Sequence, residues 1–138
     1  MTNFYAAFPN DPMSAIEAFR AAMVAGDAKG LADAHVEGDV AIVDKAAPFI
    51  WKGPTAVADW MLSMTLYFEE RDIREGSIVY HSPITKLVDG DQAYAVVPAV
   101  WSYKLKGIPI RHAATITFAL RRTPSGWKIA GWSWNQGD

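Results

Sequence analysis

The chain has no cysteine among its 138 residues. That excludes disulfides, thiolate-held zinc and a cysteine nucleophile together. Positive charge is not in surplus either: 13 Lys and Arg against 15 Asp and Glu leave a net charge of −2, with a sequence pI near 5.9. A basic, phosphate-binding face is therefore not expected, and nucleic acid falls away as a partner. Histidine is scarce, at positions 35, 81 and 112 only, with no HxH or HxxxH pairing, so no metal site is expected. There is no glycine-rich phosphate loop, because Gly26 and Gly30 fall in a helical hairpin with no strand before them. No cofactor is implied. The opening residues, Met1-Thr2-Asn3-Phe4-Tyr5, carry neither a basic stretch nor a long apolar run. They predict no signal peptide and no membrane anchor, and hence a soluble, cytoplasmic protein.

What the chain does have is apolar bulk. Hydrophobic residues make up 51% of it and six are Trp, more than a small monomer needs for its core. The excess must line a pocket, an interface, or both. The length suits one domain, read as residues 12–138 behind a short extension at 1–11.

Periodicity divides the chain into helices first and strands after. Asp11-Pro12 supplies an N-cap and a first-turn proline, after which Ile16, Phe19, Met23 and Val24 recur at helical spacing with Glu17 facing away. Gly26-Asp27 closes that helix and caps a second one, predicted to run to about His35 with Leu31, Ala34 and His35 on one side. A short strand, Val40–Val43, ends in Asp44, and Phe49-Ile50-Trp51 predicts another. Gly53-Pro54-Thr55 then opens a third helix. Its stripe is Val57, Trp60, Met61, Met64 and Phe68, and Glu69-Glu70-Arg71-Asp72 marks its solvated end. From about residue 76 the pattern alternates, predicting strands 77–88, 93–104, 111–122 and 127–135 joined by Gly-, Asp- and Pro-bearing turns. This is an α+β order with an antiparallel meander.

Strand 93–104 is apolar on both faces: Ala93, Ala95, Val97, Ala99, Trp101 and Tyr103 on one, Tyr94, Val96, Pro98 and Val100 on the other. The helices can cover one face, and a second copy of the chain is the economical cover for the other. In the next strand His112, Ala114, Ile116, Phe118 and Leu120 share a face opposite Ala113, Thr115, Thr117 and Ala119.

This order resembles the nuclear transport factor 2-like superfamily, in its SnoaL-like and ketosteroid-isomerase-like branch. The residues that carry the resemblance are Ala25-Gly26-Asp27, Asp39 to Asp44, Gly53-Pro54-Thr55-Ala56-Val57 and Arg121 to Ile129, within a span of 12 to 135. The resemblance implies a cystatin-like cone: a curved antiparallel sheet wrapped around three helices, with a pocket at its open end. It also implies homodimers through the outer face of the sheet. The superfamily hosts enzymes and inert domains alike, so the fold leaves function open.

Asp44 is the most suggestive residue. A carboxylate at the mouth of an apolar pocket has its charged form disfavoured, which raises its pKa toward that of a useful general base. It precedes Gly53 by nine residues, the interval that the resemblance gives the proton-shuttling Asp of ketosteroid isomerases. An Asp at a strand-to-loop corner also caps turns. The rest of that site does not carry over, because the two oxyanion-donor positions fall on Phe19 and Ala113. Losing even one such donor costs roughly 10²–10³ in rate, so steroid isomerisation is not expected. His35, on the inward side of helix two, is the histidine expected to assist Asp44, with Tyr103 as a second candidate. His112 is divided between the pocket and the dimer face, and His81 shares a face with Val79 and Leu87. Trp132 and Trp134 point the same way, and with Trp51, Trp60 and Trp101 they predict an aromatic lining for a small, mostly apolar ligand. Trp127 is assigned to core closure. The sequence thus predicts a ligand-binding domain with isomerase-, lyase- or cyclase-like proton transfer at Asp44, or else a non-catalytic binding or dimerisation module.

Overall fold

The computed structural model describes residues 11–137, so all but the last residue of the predicted extension at 1–11 lies outside the described part. Helix α1 (Met13–Ala25) starts just after Asp11-Pro12. Asp11 Oδ1 accepts the Met13 N–H at 2.8 Å, satisfying one donor of the first turn. Ile16 and Phe19 are fully buried, whereas Val24 is exposed. Glu17 does not face solvent: it is half-buried and accepts two bonds from Arg20 Nε, at 2.8 and 2.9 Å. Gly26 takes the left-handed conformation that ends α1, at φ 65°, and Asp27 caps the next helix by accepting the Gly30 N–H. That helix, α2 (Ala28–Asp33), is shorter than predicted. His35 lies beyond it, in an isolated parallel bridge to Ile129.

Strands β1 (Val40–Val43) and β2 (Ile50–Gly53) form a short hairpin. Helix α3 (Ala56–Arg71) follows and stops at Asp72, which adopts a left-handed conformation. The long strands are β3 (Ile73–Tyr80), β4 (Thr85–Asp89), β5 (Gln92–Leu105), β6 (Ile108–Thr123) and β7 (Gly126–Gln136). Between β5 and β6, Lys106 (φ 50°) and Gly107 (φ 81°) close the pair Leu105–Ile108 as a two-residue hairpin loop. Positive φ at both positions is the geometry that matches the right-handed twist of the strands.

The strands form one curved, unclosed sheet in the order β2-β1-β7-β6-β5-β3, with β4 also on β5. Two features differ from the sequence expectation. The predicted strand 77–88 is two strands, broken at 81–84, with β4 and β3 using successive stretches of the same β5 edge. And β1 joins β7 in parallel, so the sheet is not a pure meander. The pairing Val100–Ala113, Trp101–His112 and Val97–Ile116 fixes the faces of β5 and β6. Val97, Ile116 and Phe118 turn inward and pack with Phe19, Ile42 and Ile129, all under 2% exposed. Val79, Tyr94 and Val100 belong to the outer face, where Val79 and Tyr94 are exposed. Trp127 is buried and Arg122 lies over its ring, as expected of a residue closing the core beneath the last turn. Among the described residues, no helix is long and apolar enough to cross a membrane.

Candidate functional site

Between the helices and the inner face of the sheet lies a cavity of about 400 Å³. It is large enough for a small organic molecule, within the usual range for such sites. One wall is α3, through Trp60, Met61, Met64 and Phe68, the stripe predicted for that helix. The facing wall belongs to β3, β5, β6 and β7, and Phe19 with Met23 of α1 closes the inner end.

Asp44 stands at this cavity, directly after β1. Its Oδ2 accepts the Trp60 indole N–H at 2.9 Å, and its Oδ1 accepts the backbone N–H of Lys45 at 2.7 Å. Both bonds favour the carboxylate, as does the Lys45 charge, yet removal from water is the larger influence and raises its pKa. Among the residues lining the cavity, Asp44 is the sole carboxylate. A carboxylate held by an indole on one side and by backbone on the other has a fixed orientation at the cavity.

The aromatic residues divide. Phe19, Trp60, Trp101, Tyr103, Trp132 and Trp134 line the cavity. Trp60 and Trp132 meet edge to face at 5.0 Å, and Phe68 stacks on Trp101 at 5.8 Å with 21° between the planes. Trp51 does not line it: the ring is buried in the core and its N–H reaches Ser63 Oγ at 3.2 Å. Ala113 is also misplaced by the sequence expectation. It pairs with Val100 on the outer face and is exposed, because side chains one residue apart on a strand point to opposite faces.

The histidines reverse their expected order. His35 is 4% exposed and does not line the cavity. Its Nδ1 bonds to the Leu31 carbonyl at 2.8 Å, and its Nε2 accepts the Trp132 indole N–H at 3.2 Å. Both nitrogens are committed, and burial lowers the pKa, so His35 is a neutral structural residue that sets the Trp132 ring. His112 does line the cavity, where Tyr103 Oη and His112 Nε2 lie 2.9 Å apart. His81 is exposed at the end of β3.

Sequence reasoning missed Tyr80. Its ring lines the cavity, and its hydroxyl is buried without a hydrogen-bond partner among the described residues. Burial and the nearby Glu17 raise its pKa, so it stays a neutral phenol. The alternation gives a signal, since Ile78 and Tyr80 share a parity within the predicted strand 77–88, but the reading of that strand follows the opposite face, that of Val79, His81 and Leu87. Among the described residues, no group of three metal-ligating side chains occurs.

No protein-family model and no curated protein matches the chain. Solved structures do. An NTF2-like family protein from Streptomyces avermitilis aligns with a TM-score of 0.74 at 20% identity, covering 91% of this chain and 93% of that one. An ntf2-like protein with a cystatin-like fold from Novosphingobium aromaticivorans gives 0.70 at 22% identity, over 91% of this chain and 79% of the other. A ketosteroid isomerase-like protein from Erwinia carotovora atroseptica gives 0.70 at 16% identity, over 99% of both chains. At these identities the likeness concerns the fold.

Proposed function

On the premise that the chain has the NTF2-like, cystatin-like fold, we propose that it binds a small, mostly apolar organic molecule in the aromatic cavity and moves a proton on it with Asp44. The observation that carries this reading is the placement of a single, doubly bonded carboxylate at an otherwise mainly apolar cavity. In such surroundings a carboxylate is a stronger base than in water, and a positioned base contributes typically about 10²–10⁴-fold to a proton transfer. Asp44 takes a proton from an acidic C–H of the ligand and holds it as the neutral acid. Returning it at another atom is an isomerisation, and loss of a leaving group instead is an elimination. His35 takes no part in this chemistry, because both of its ring nitrogens are bonded elsewhere. Nothing at Phe19 can polarise a ligand oxygen, which weighs against steroid isomerisation.

The direct test is a carbon-13 NMR titration of the Asp44 carboxyl, together with hydrogen–deuterium exchange of cyclic ketones by the wild type and Asp44→Asn. A titration above the ordinary Asp value of about 3.9, with exchange lost in Asp44→Asn, is expected. A raised pKa with no exchange on any ketone favours the non-catalytic binding module, and an ordinary pKa overturns the base assignment.

The outer sheet face supports a second proposal, a homodimer. Val79, Leu87 and Tyr94 are exposed there, continuous with half-buried Val96, Pro98 and Val100. An apolar strip of this kind on a sheet favours self-association.

A further inference from the structure

Tyr103 and His112 form a pair that neither the base assignment nor the core explains. They sit on adjacent strands, diagonal to one another across the Trp101–His112 and Tyr103–Ile110 pairings. Their rings are 5.7 Å apart, with Tyr103 Oη 2.9 Å from His112 Nε2. Both are half-buried and both line the cavity. Among the described residues, His112 Nδ1 has no protein partner, and Tyr103 Oη has only His112.

Counting protons gives the pair a defined character. A neutral Tyr and a neutral His carry one O–H and one N–H between them. If the phenol donates to Nε2, the Nδ1–H is left over. If Nε2–H donates to the phenol oxygen, the phenol O–H is left over. In either arrangement one donor stays uncommitted at the cavity, free to bond an acceptor on a bound molecule.

The pair is also remote from Asp44. Strand β7 lies between β1 and β6, so two strand spacings separate them, about 10 Å at the backbone. Val43 is level with Ser133, and Ser133 with Thr117, which sets Asp44 level with Ile116. His112 stands four residues further along β6, adding roughly 13 Å. One small functional group cannot touch both. On the strands between them Trp134 and Ile116 line the cavity, and on β5, beside the pair, Trp101 stacks on Phe68 and lies 5.3 Å from Tyr103, so the cavity offers flat aromatic surface along its length.

We infer that Tyr103 and His112 form an acceptor-reading corner of the cavity, which selects flat ligands of two or more rings that carry an uncharged carbonyl oxygen at the end remote from Asp44. This rests on the ligand-binding reading above and adds the polarity and length of the ligand. The pair binds and orients; the proton transfer stays with Asp44.

Calorimetric titration with 2-acetylnaphthalene and 2-ethylnaphthalene tests it, since the two differ in little but the carbonyl. The wild type is expected to bind the ketone about tenfold more tightly, the worth of one good neutral hydrogen bond. Tyr103→Phe/His112→Phe is expected to bind both equally, with its affinity for the hydrocarbon kept as the sign that it folds. Asp44→Asn is expected to retain the preference while losing exchange activity. Nitrogen-15 shifts of the His112 ring, which need no variant, are expected to change with the ketone and not with the hydrocarbon. Equal wild-type affinities, a preference that survives in the double variant, or an unresponsive His112 ring overturns the corner alone. A preference lost in Asp44→Asn moves carbonyl recognition to Asp44 and overturns it as well. If neither compound binds the wild type, the ligand-binding reading falls and the corner with it.

Discussion

At the scale of single residues, the site depends on small groups that make room for large ones. Gly76 is the clearest case. A Cβ there would stand 2.9 Å from Cζ3 of Trp101, closer than packed carbon atoms tolerate. The glycine lies within a β-bulge between Arg74 and Ser77, so the irregular stretch of β3 is where the Trp101 ring fits. Gly76→Ala is expected to push the indole off Phe68 and cost about 1–3 kcal/mol, the usual price of overpacking. Urea denaturation measures the loss, and the ring-current shifts of Phe68 report the displacement. His35 makes a different prediction. Burial holds its pKa below the ordinary value, so the unfolded chain takes up the proton first as pH falls. The stability that neutral His35 contributes is complete above about pH 6.5 and declines below it, toward the lower folded-state pKa. In urea midpoints between pH 8 and pH 5, the wild type is expected to lose stability more steeply than His35→Gln. The raised pKa of Asp44 acts in the opposite sense in the acid range, and comparison with the variant cancels it.

At the scale of elements, what is local was legible and what is long-range was not. The caps of α1 and α2, the stripe of α3 and its charged end, and the Lys106-Gly107 turn are written in neighbouring residues, and each formed. The parallel pairing of β1 with β7 joins residues some ninety positions apart, and no local pattern encodes it. The break at 81–84 was hidden because Val79, His81 and Leu87 keep one parity across it. The histidines show how a register error propagates. Alternation in β6 puts His112 on the face of Ile116 and Phe118, which is where it lies, whereas the oxyanion-donor position implied by the resemblance falls on Ala113, one residue over and on the outer face. His35 was chosen because helix two was predicted to include it; the helix stops at Asp33, and the ring turns into the core instead. The β1–β7 pairing also yields a prediction. A Cβ on Gly131 would lie 2.9 Å from the Ala41 carbonyl oxygen, a backbone atom that cannot step aside. Gly131→Ala is expected to loosen β1 from β7, and amide exchange at Ile42 and Val43 should rise well above that of β5.

At the scale of the whole molecule, the sheet divides apolar residues between two uses. Its concave face carries the cavity, and its convex face carries the strip proposed for self-association. With a chain mass of 15.2 kDa, sedimentation equilibrium should give twice that value, and Val96→Glu/Val100→Glu should return it to the monomer. A monomeric wild type at high micromolar concentration would remove the dimer and leave the cavity untouched. The distribution of indoles has an optical consequence. Of six tryptophans, Trp60, Trp101, Trp132 and Trp134 line the cavity, while Trp51 and Trp127 lie elsewhere. Most of the intrinsic emission therefore comes from chromophores that a bound molecule would touch, quench or dry, so the protein carries its own unlabelled gauge of occupancy.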